Sequence, residues 1–362
     1  MAFTQRELAS ITNASLDYYL NKGKTFGQSI QKKPLLDRLQ RRKKTFSGGK
    51  GGISVGVKGT YGAGGTNDGL KGYTHNDTVS FYTPENIQRA NYAWREMHIG
   101  ISVTHTELKI DGISVTDESG EGKSKHSKRD MHVLVGLLED KLEDLGEQYA
   151  STLNALLWGD GSGDAKALAG IQGIVVANPA AGTVGGINRA VSANSWWKNR
   201  ARTAAHAKAA AGNGPVTSAT AHGGALLEEI QIEHRQLTRY GGSPTLALCG
   251  SDFIGAMERE TRANGSYSTE GFAKGGNDFA VTGLNYVGQK FIYDPTLDDM
   301  SLAKRCYWID ERAISLMAME GEWNRTHTPS RAPNQFVLHR SITCTGQMIA
   351  RQCNSSLVID IT

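Results

Sequence analysis

The chain is poor in cysteine and in long apolar runs, and each shortage excludes a class of protein. Its four cysteines (Cys249, Cys306, Cys344 and Cys353) are widely separated in 362 residues and form no C-x-x-C pair. This spacing predicts reduced, structural thiols in an intracellular protein. No apolar stretch approaches the about 20 residues that a membrane-spanning helix needs, and no signal-like region opens the chain. We therefore expect a soluble protein that is made in a cytoplasm.

The sequence also lacks a large net charge and recognisable catalytic motifs. The net charge of +4 does not indicate extensive neutralisation of nucleic acid phosphates. The sequence has no G-x-S-x-G elbow, and its histidines are dispersed without metal-ligand spacing. The Asp160 segment has Ala165 where a calcium loop needs glycine, and residues 47–52 lack the spacing of a phosphate loop. We predict no catalytic residue, no metal site and no cofactor.

Glycine, in contrast, is abundant and concentrated in residues 47–115. The first half of this segment is too rich in glycine to bury much apolar surface, and the second half alternates apolar and polar residues as β-strands do. An isolated two-stranded ribbon is marginally stable in water. We therefore predict an extended loop without a core of its own, which another copy of the protein completes. The apolar residues predicted to make loop contacts are Val79, Phe81, Ile99, Ile101 and Val103.

The segments on either side of this loop carry opposite charges. Residues 1–46 are predicted to form an N-terminal arm, with short helices from Leu8 to Leu20 and from Pro34. Residues 116–164 are predicted to form a linker and a helix of about 30 residues, which a capping box at Ser127 opens and Gly159 ends. The basic residues of the arm are Lys32, Lys33, Arg38, Arg41, Arg42, Lys43 and Lys44. The acidic residues of the long helix, termed the spine helix, are Glu139, Asp140, Glu143, Asp144 and Glu147.

Two interpretations of the acidic spine face remain open. Like charges four residues apart cost a few tenths of a kcal/mol per pair, so an isolated helix gains nothing from them. The face is either solvated, or it pairs with the basic arm of a neighbouring subunit. In the second case the exposed ion pairs would fix the register between the two subunits and would not supply most of the binding energy.

The remaining sequence mixes helix and strand and then becomes almost wholly strand, which predicts an α+β protein. Within residues 165–300 we expect strands at Ile171–Val176, Thr245–Cys249 and Phe291–Tyr293, and helices around Leu226–Leu237 and from Ser251. Within residues 301–362 we expect almost only strands. These are Arg305–Ile309, Ile314–Met319, Phe336–Leu338, Met348–Ala350 and Leu357–Ile361.

One stretch of this region resembles the major capsid proteins of tailed bacteriophages. It begins Gly170-Ile171-Gln172-Gly173-Ile174-Val175 and continues through a glycine-rich turn to a pair of tryptophans. The residues that carry the family-like motif are Gly182, Thr183, Val184, Gly185, Gly186, Arg189, Trp196, Trp197 and Asn199. The order of arm, extended loop, spine helix, α/β segment and returning β segment extends the resemblance over almost the whole chain. This order of parts is similar to that of the shell fold named after phage Hong Kong ninety-seven.

The resemblance implies a division of the chain and a function. Residues 1–46 would be the N-arm, 47–115 the extended loop, 165–300 the axial domain, and 116–164 with 301–362 the peripheral domain. The protein would be structural, not an enzyme, and would form the hexamers and pentamers of an icosahedral virion shell around double-stranded DNA. Implied partners are further copies, portal, scaffolding and decoration proteins, with non-specific DNA contact and no membrane. Assembly would occur in the bacterial cytoplasm, with a separate scaffolding protein or with a chain already mature.

Three other interpretations of the sequence are open at this point. An encapsulin-like compartment shares the fold but encloses enzymes, and a nucleic-acid-binding protein could use the basic run from Lys32 to Lys44. A hydrolase is disfavoured because no nucleophile and base pair is evident. Some relatives cross-link subunits through Lys–Asn isopeptide bonds, for which the candidates are Lys50, Lys58, Lys71, Asn334 and Asn354.

Overall fold

The computed structural model of the protein describes most of the chain outside the N-terminus and four longer gaps. The described residues are 3–4, 31–49, 51–59, 70, 72–79, 81, 87–110, 115–116, 128–203, 225–263, 284–327, 330–331 and 337–361. The helix expected from Leu8 to Leu20 lies outside them, as do Lys50, Lys71 and Asn334. Across the described segments, every helix is too short or too polar to cross a bilayer.

The helices of the described residues include one that is far longer than the others. They are α1 Pro34–Arg41, α2 His105–Ile110, α3 Lys128–Trp158, α4 Ile171–Ile174, α5 Ala225–Thr238, α6 Ser251–Ala263 and α7 Pro295–Asp299, with a 3-10 helix at Ser192–Trp197. The spine helix is α3. It runs from Lys128 to Trp158 and ends before Gly159, so the prediction of a helix of about 30 residues is confirmed. Ser127 of the predicted capping box lies outside the described residues.

The strands of the described residues form two six-stranded sheets and three two-stranded pairs. They are β1 Phe3–Thr4, β2 Lys44–Phe46, β3 Ile53–Lys58, β4 Ile87–Tyr92, β5 Arg95–Thr104, β6 Val115–Thr116, β7 Thr183–Val184, β8 Ile187–Asn188, β9 Arg200–Arg202, β10 Leu246–Cys249, β11 Leu284–Tyr286, β12 Gln289–Tyr293, β13 Arg305–Ile309, β14 Ile314–Met319, β15 Arg325–Thr326, β16 Ser330–Arg331, β17 Val337–Ala350 and β18 Leu357–Asp360.

The first sheet is buried on both faces. Its strand order is β11-β12-β10-β13-β18-β9, with parallel pairing of β10 to β12 and of β18 to β9. Leu246 and Leu248 of β10 pack in the cluster that contains Trp158 at the end of the spine helix. Ala247 and Cys249 pack in a second cluster with residues of α5 and α6. A strand that is covered on both faces has a continuous apolar sequence, and for this reason the sequence predicts β10, β13 and β18.

A network of ion pairs fixes α5 to the edge strand β9. Arg200 and Arg202 of β9 both bind the buried carboxylate of Glu233, with Arg202 Nη2 2.6 Å from Glu233 Oε1. Arg202 also pairs with Glu229, 2.7 Å away. Burial by itself would raise the pKa of Glu233, but the hydrogen bonds from the two guanidinium groups lower it below its usual value. The charged network therefore holds α5 on the sheet.

The second sheet is organised around β17. Along one side, residues 337–346 of β17 pair with β5 over its full length. On the other side β17 pairs with β16, β15 and β14, and β2 adds to β14 in parallel. The sequence predicts two separate strands, Phe336–Leu338 and Met348–Ala350. The structure has one continuous strand. The polar residues between the two predicted strands are also part of it, because neighbouring strands pair with them on both sides.

Three further expectations are corrected by the structure. Ile171–Val176 is not a strand, since Ile171–Ile174 is a short helix against the end of the spine helix. A Cβ atom on Gly170 would lie 2.1 Å from the carbonyl oxygen of Leu157, so only glycine permits this packing. The extended loop is not one free ribbon, because β5 pairs within the chain. The division at residue 300 separates β10 from β13, which are neighbours in the first sheet.

Candidate assembly interface

The part of the extended loop nearest the body is a two-stranded ribbon formed by β3 and β4, here termed the loop ribbon. The two strands are antiparallel and pair from Ile53 with Tyr92 to Lys58 with Ile87. One face rests on the body, where Val57, Ala90 and Tyr92 are buried. Tyr92 Oη donates to the carbonyl oxygen of Ala350 at 3.1 Å, and burial raises the pKa of this phenol. The ribbon therefore obtains part of its core from its own chain.

The glycine-rich half of the family-like motif supports this ribbon directly. Thr183–Val184 and Ile187–Asn188 form a tight hairpin, and both residues of its turn, Gly185 and Gly186, have positive φ as a type I′ turn requires. The amide of Asn91 in β4 donates to the carbonyl oxygen of Gly185 at 2.8 Å. A Cβ atom on Gly185 would lie 2.8 Å from Cβ of Ala90. The hairpin turn thus docks on the ribbon where no side chain fits. We term residues 183–199 the cradle.

The two tryptophans of the motif occupy different layers of the cradle. The Trp196 ring lies so close to Gly59, at the end of β3, that a Cβ there would be 2.0 Å from the indole. Trp197 is buried beneath it, with the ring centroids 5.5 Å apart in an edge-on arrangement. Trp197 Nε1 donates to the carbonyl oxygen of Val184 at 3.0 Å. The pair connects the ribbon, the hairpin and the core.

Arg189 and Asn199 tie the cradle to the segment around α4. The Arg189 side chain is fully buried, and its Nη1 and Nη2 donate to Asn199 Oδ1 at 3.1 Å and to the carbonyl oxygen of Ile174 at 2.6 Å. Asn199 Nδ2 donates to the carbonyl oxygen of Val176 at 2.8 Å. The resemblance singles out these residues without a role. Their contacts indicate that they position the base of the extended loop.

Farther along the loop, large apolar side chains are exposed. The exposed apolar residues of this segment are Leu70, Tyr73, Val79, Phe81 and Ile87. Phe81 exposes 92% of its surface and Val79 exposes 52%. A soluble monomer rarely exposes several such groups on one segment without a binding role. Val79 and Phe81 are therefore available for the predicted loop contacts.

The other predicted loop-contact residues are not on the loop. Ile99 and Ile101 are half-buried and Val103 is buried, because all three belong to β5 in the second sheet. Their alternation is real, but it belongs to a strand of the second sheet in which half-buried and exposed residues alternate. Sequence periodicity gives the strand but not its partner, which lies more than 200 residues later in the chain.

The basic arm and the spine helix meet, but within one chain. Lys33 forms an ion pair with Glu147 of the spine helix. Arg42 Nη1 lies 3.1 Å from Glu311, and Lys43 stands 5.9 Å from the Trp323 ring. These contacts correct the view that the whole basic cluster serves a neighbour.

The other charged residues of the two predicted surfaces are exposed where their side chains are described. On the arm these are Lys32, Arg38, Arg41 and Lys44, and on the spine helix they are Glu143 and Asp144. Glu139 and Asp140 are part of the spine helix, but their side chains lie outside the described part of the structure. Pairing between subunits through these residues stays a prediction.

Candidate cross-linking and metal residues are limited to those that the structure describes. Lys58 is exposed at the end of β3, and Asn354 Oδ1 accepts a hydrogen bond from Gln352 at 2.7 Å. Among the described residues, no group of three or more His, Cys, Asp and Glu side chains is arranged to hold a metal ion.

Comparison with known proteins relates this architecture to solved shells. No protein-family model and no curated protein sequence matches the chain. The capsid asymmetric unit of Cyanophage A-1(L) is similar over 93% of this chain and 95% of its own, with a TM-score of 0.59 and 15% identity. The capsid of Myoviridae Phage XM1 is similar over 94% and 95%, with a TM-score of 0.55 and 10% identity. The capsid asymmetric unit of Cyanophage Pam1 is similar over 93% of this chain and 94% of its own, with a TM-score of 0.54 and 11% identity.

Similarity over nearly the whole of both chains confirms the predicted fold. The protein has the α+β fold of phage capsid subunits, with the spine helix, the extended loop and the two sheets in one chain.

Proposed function

We propose that this protein is the major capsid protein of a tailed bacteriophage. It is a structural subunit that assembles through hexamers and pentamers into an icosahedral shell, and the shell encloses double-stranded DNA. The observation that carries the proposal is the similarity of fold to phage capsid structures over 93–94% of the chain. The function resides in surfaces that bind further copies of the chain.

The physical support comes from the extended loop. Fully burying a large apolar side chain contributes about 1.5–3 kcal/mol relative to leaving it exposed. Phe81 and Leu70 have almost no contact with their own chain in the described residues, and so this contribution is open to a neighbour. In a closed shell every subunit makes the contact, and many small contributions add up to a stable particle.

Other partners follow from the same proposal. Portal, scaffolding and decoration proteins would bind the shell, and assembly would take place in the bacterial cytoplasm before the virion is released. The exposed cations Arg38 and Arg41 support two further contacts. They could pair with Glu143 and Asp144 of another subunit, or they could meet packaged DNA without sequence specificity, since phosphate contacts depend on charge alone.

The test compares assembly of the purified protein with that of a loop variant. We expect closed shells by negative-stain microscopy at neutral pH and moderate salt. Phe81→Asp should abolish them, because a charge cannot be buried in an apolar contact without a large desolvation cost. Asn76→Asp adds the same charge to an exposed position of the same loop and should still assemble. Unchanged melting temperatures for both variants would show that the subunit fold is intact.

The opposite results would refute the proposal or its mechanism. A wild-type protein that remains a monomer at all concentrations, both alone and when co-expressed with a scaffolding protein, would refute the shell function. Shells from Phe81→Asp in normal yield would leave the shell function standing and remove the loop contact as its basis.

A further inference from the structure

Two of the four cysteines, far apart in sequence, are directly opposite each other in the first sheet. Cys249 at the end of β10 pairs in register with Cys306 of the antiparallel strand β13. Both side chains have no exposed surface, and both belong to the hydrophobic cluster beneath α5 and α6. The two thiols therefore lie on the same face of the sheet.

The backbone hydrogen bonds define the type of this pair. The Cys249 carbonyl oxygen accepts from the amide of Asp294, on the side of β12. The Lys304 carbonyl oxygen accepts from the amide of Ile361, so the backbone of Lys304, and by alternation that of Cys306, points toward β18. The two cysteines therefore form no backbone hydrogen bond with each other and are a non-hydrogen-bonded pair of the antiparallel strands. In such non-hydrogen-bonded pairs the Cα atoms are about 4.5 Å apart and the side chains are close.

This geometry is compatible with a covalent bond between the two sulfur atoms. Disulfides form across Cα separations of about 4.4–6.8 Å, which includes the usual distance of a non-hydrogen-bonded pair. Strand register, a shared face and complete burial of both groups all hold for Cys249 and Cys306. We propose that these two residues form a disulfide within the subunit when the protein meets a small peroxide oxidant.

The reaction is balanced by the peroxide. Each cysteine loses its S–H hydrogen, a sulfur–sulfur bond forms, and the O–O bond of hydrogen peroxide breaks. Two electrons and two protons pass to the peroxide, which leaves as two molecules of water. The first sulfur passes through a sulfenic acid, and the second thiol displaces its hydroxyl group.

The environment of the two thiols makes their oxidation slow. Burial and the adjacent Cys306 thiol raise the pKa of Cys249, so the nucleophilic thiolate is scarce at neutral pH. The thiols should therefore remain reduced in a cytoplasm and should oxidise over hours once outside it. The rate should increase as the pH rises, because the thiolate fraction increases.

The bond would stabilise the subunit. It closes the part of the chain from residue 249 to residue 306, which includes α6, β11, β12 and α7. A closed loop has fewer unfolded conformations, and for a segment of this length the unfolding temperature should increase by roughly 5 °C. This inference does not depend on the proposed function.

The experiment uses the full chain with Cys344 and Cys353 replaced by alanine, so that only the pair can react. The protein is treated with hydrogen peroxide, unfolded in an alkylating reagent without reductant and digested with trypsin. We expect the peptides 240–259 and 306–312 to be linked and lighter by two hydrogen atoms than their sum. The unfolding temperature should increase, and dithiothreitol should reverse both changes.

Two further samples make the outcome decisive. Wild-type protein should give the same linked peptides, which excludes an effect of the alanine replacements. Cys306→Ala should give no link and no increase in the unfolding temperature. If the treated pair is recovered alkylated, or is oxidised to sulfinic acid without linked peptides, the proposal is wrong.

Discussion

The turn of the cradle hairpin provides a matched pair of glycines that separates backbone strain from close packing. Gly185 and Gly186 are adjacent and both have positive φ, +59° and +80°. A Cβ on Gly185 would lie 2.8 Å from Cβ of Ala90 and 2.9 Å from the Tyr92 ring, whereas a Cβ on Gly186 would meet nothing within 4 Å. Replacing each by alanine adds the same methyl group in the same backbone region. Only one of the replacements pushes against the loop ribbon.

The expected costs follow from these contacts. A non-glycine residue in the left-handed region costs about 1–2 kcal/mol, which is the whole effect expected for Gly186→Ala. Gly185→Ala adds the cost of overpacking, about 1–3 kcal/mol. Its free energy of unfolding should therefore decrease by roughly 2–5 kcal/mol in total. The additional cost can be relieved only if the ribbon moves away from the hairpin.

Hydrogen exchange at one amide measures that movement. The N–H of Asn91 donates to the Gly185 carbonyl oxygen, so its protection reports docking of the loop ribbon. If docking loses about 2 kcal/mol, protection of this amide should decrease about 30-fold in Gly185→Ala. It should change little in Gly186→Ala. Equal loss of protection and of unfolding free energy in both variants would refute the argument that the turn supports the ribbon by close contact.

Two further predictions concern the packing of the body. Gly170→Ala should lower the free energy of unfolding in urea by about 3 kcal/mol or more, because its Cβ would overlap a carbonyl oxygen in the last turn of the spine helix. Gly163→Ala, with open space around it, is the control and should change little. Glu233→Gln should weaken the contact with the two guanidinium groups of β9 and lower the melting temperature at pH 7. Because the pKa of Glu233 is lowered on folding, wild type should lose this stabilisation as the pH falls below about 4.5, and the variant should not. Glu228→Gln, exposed on the same helix, should follow wild type throughout.

Sequence reasoning succeeds where local pattern and burial agree. The spine helix combines a sustained apolar period with a closing glycine, and it ends at Trp158, directly before that glycine. Strands β10, β13 and β18 are uniformly apolar because both faces of the sheet are covered. The short run at Ile171 is also apolar, but its length does not distinguish a buried strand from a buried helical turn. Its neighbour Gly170 packs against the end of the spine helix where no side chain fits, a long-range contact that the sequence does not reveal.

What the sequence could not show is which distant segments meet. The alternation in β5 predicts a strand, yet its partner in β17 is known only from the fold. The pairing of Cys249 with Cys306 is similar, because scattered thiols carry no local signal. The glycines and tryptophans of the family-like motif are easily recognised in the sequence. Its role in supporting the loop ribbon is learned only from the contact of Gly185 with β4. Long-range register is set by the packing of whole elements.

The base of the extended loop is connected to the second sheet and, through Gln347 of that sheet, to the segment before α4. Only Ala93 and Trp94 separate β4 of the loop ribbon from β5 of the second sheet. Gln347 of β17 donates to the carbonyl oxygen of Ala93 at 3.1 Å and accepts from the amide of Ala169 at 3.2 Å. Each such hydrogen bond contributes about 0.5–1.5 kcal/mol net, and the cradle adds its own. A change in the angle of the loop base must therefore break contacts to the second sheet and to the cradle together. For this reason a contact made by Phe81 would be held in position by the whole subunit, and cradle variants should impair assembly while every exposed loop residue is unchanged.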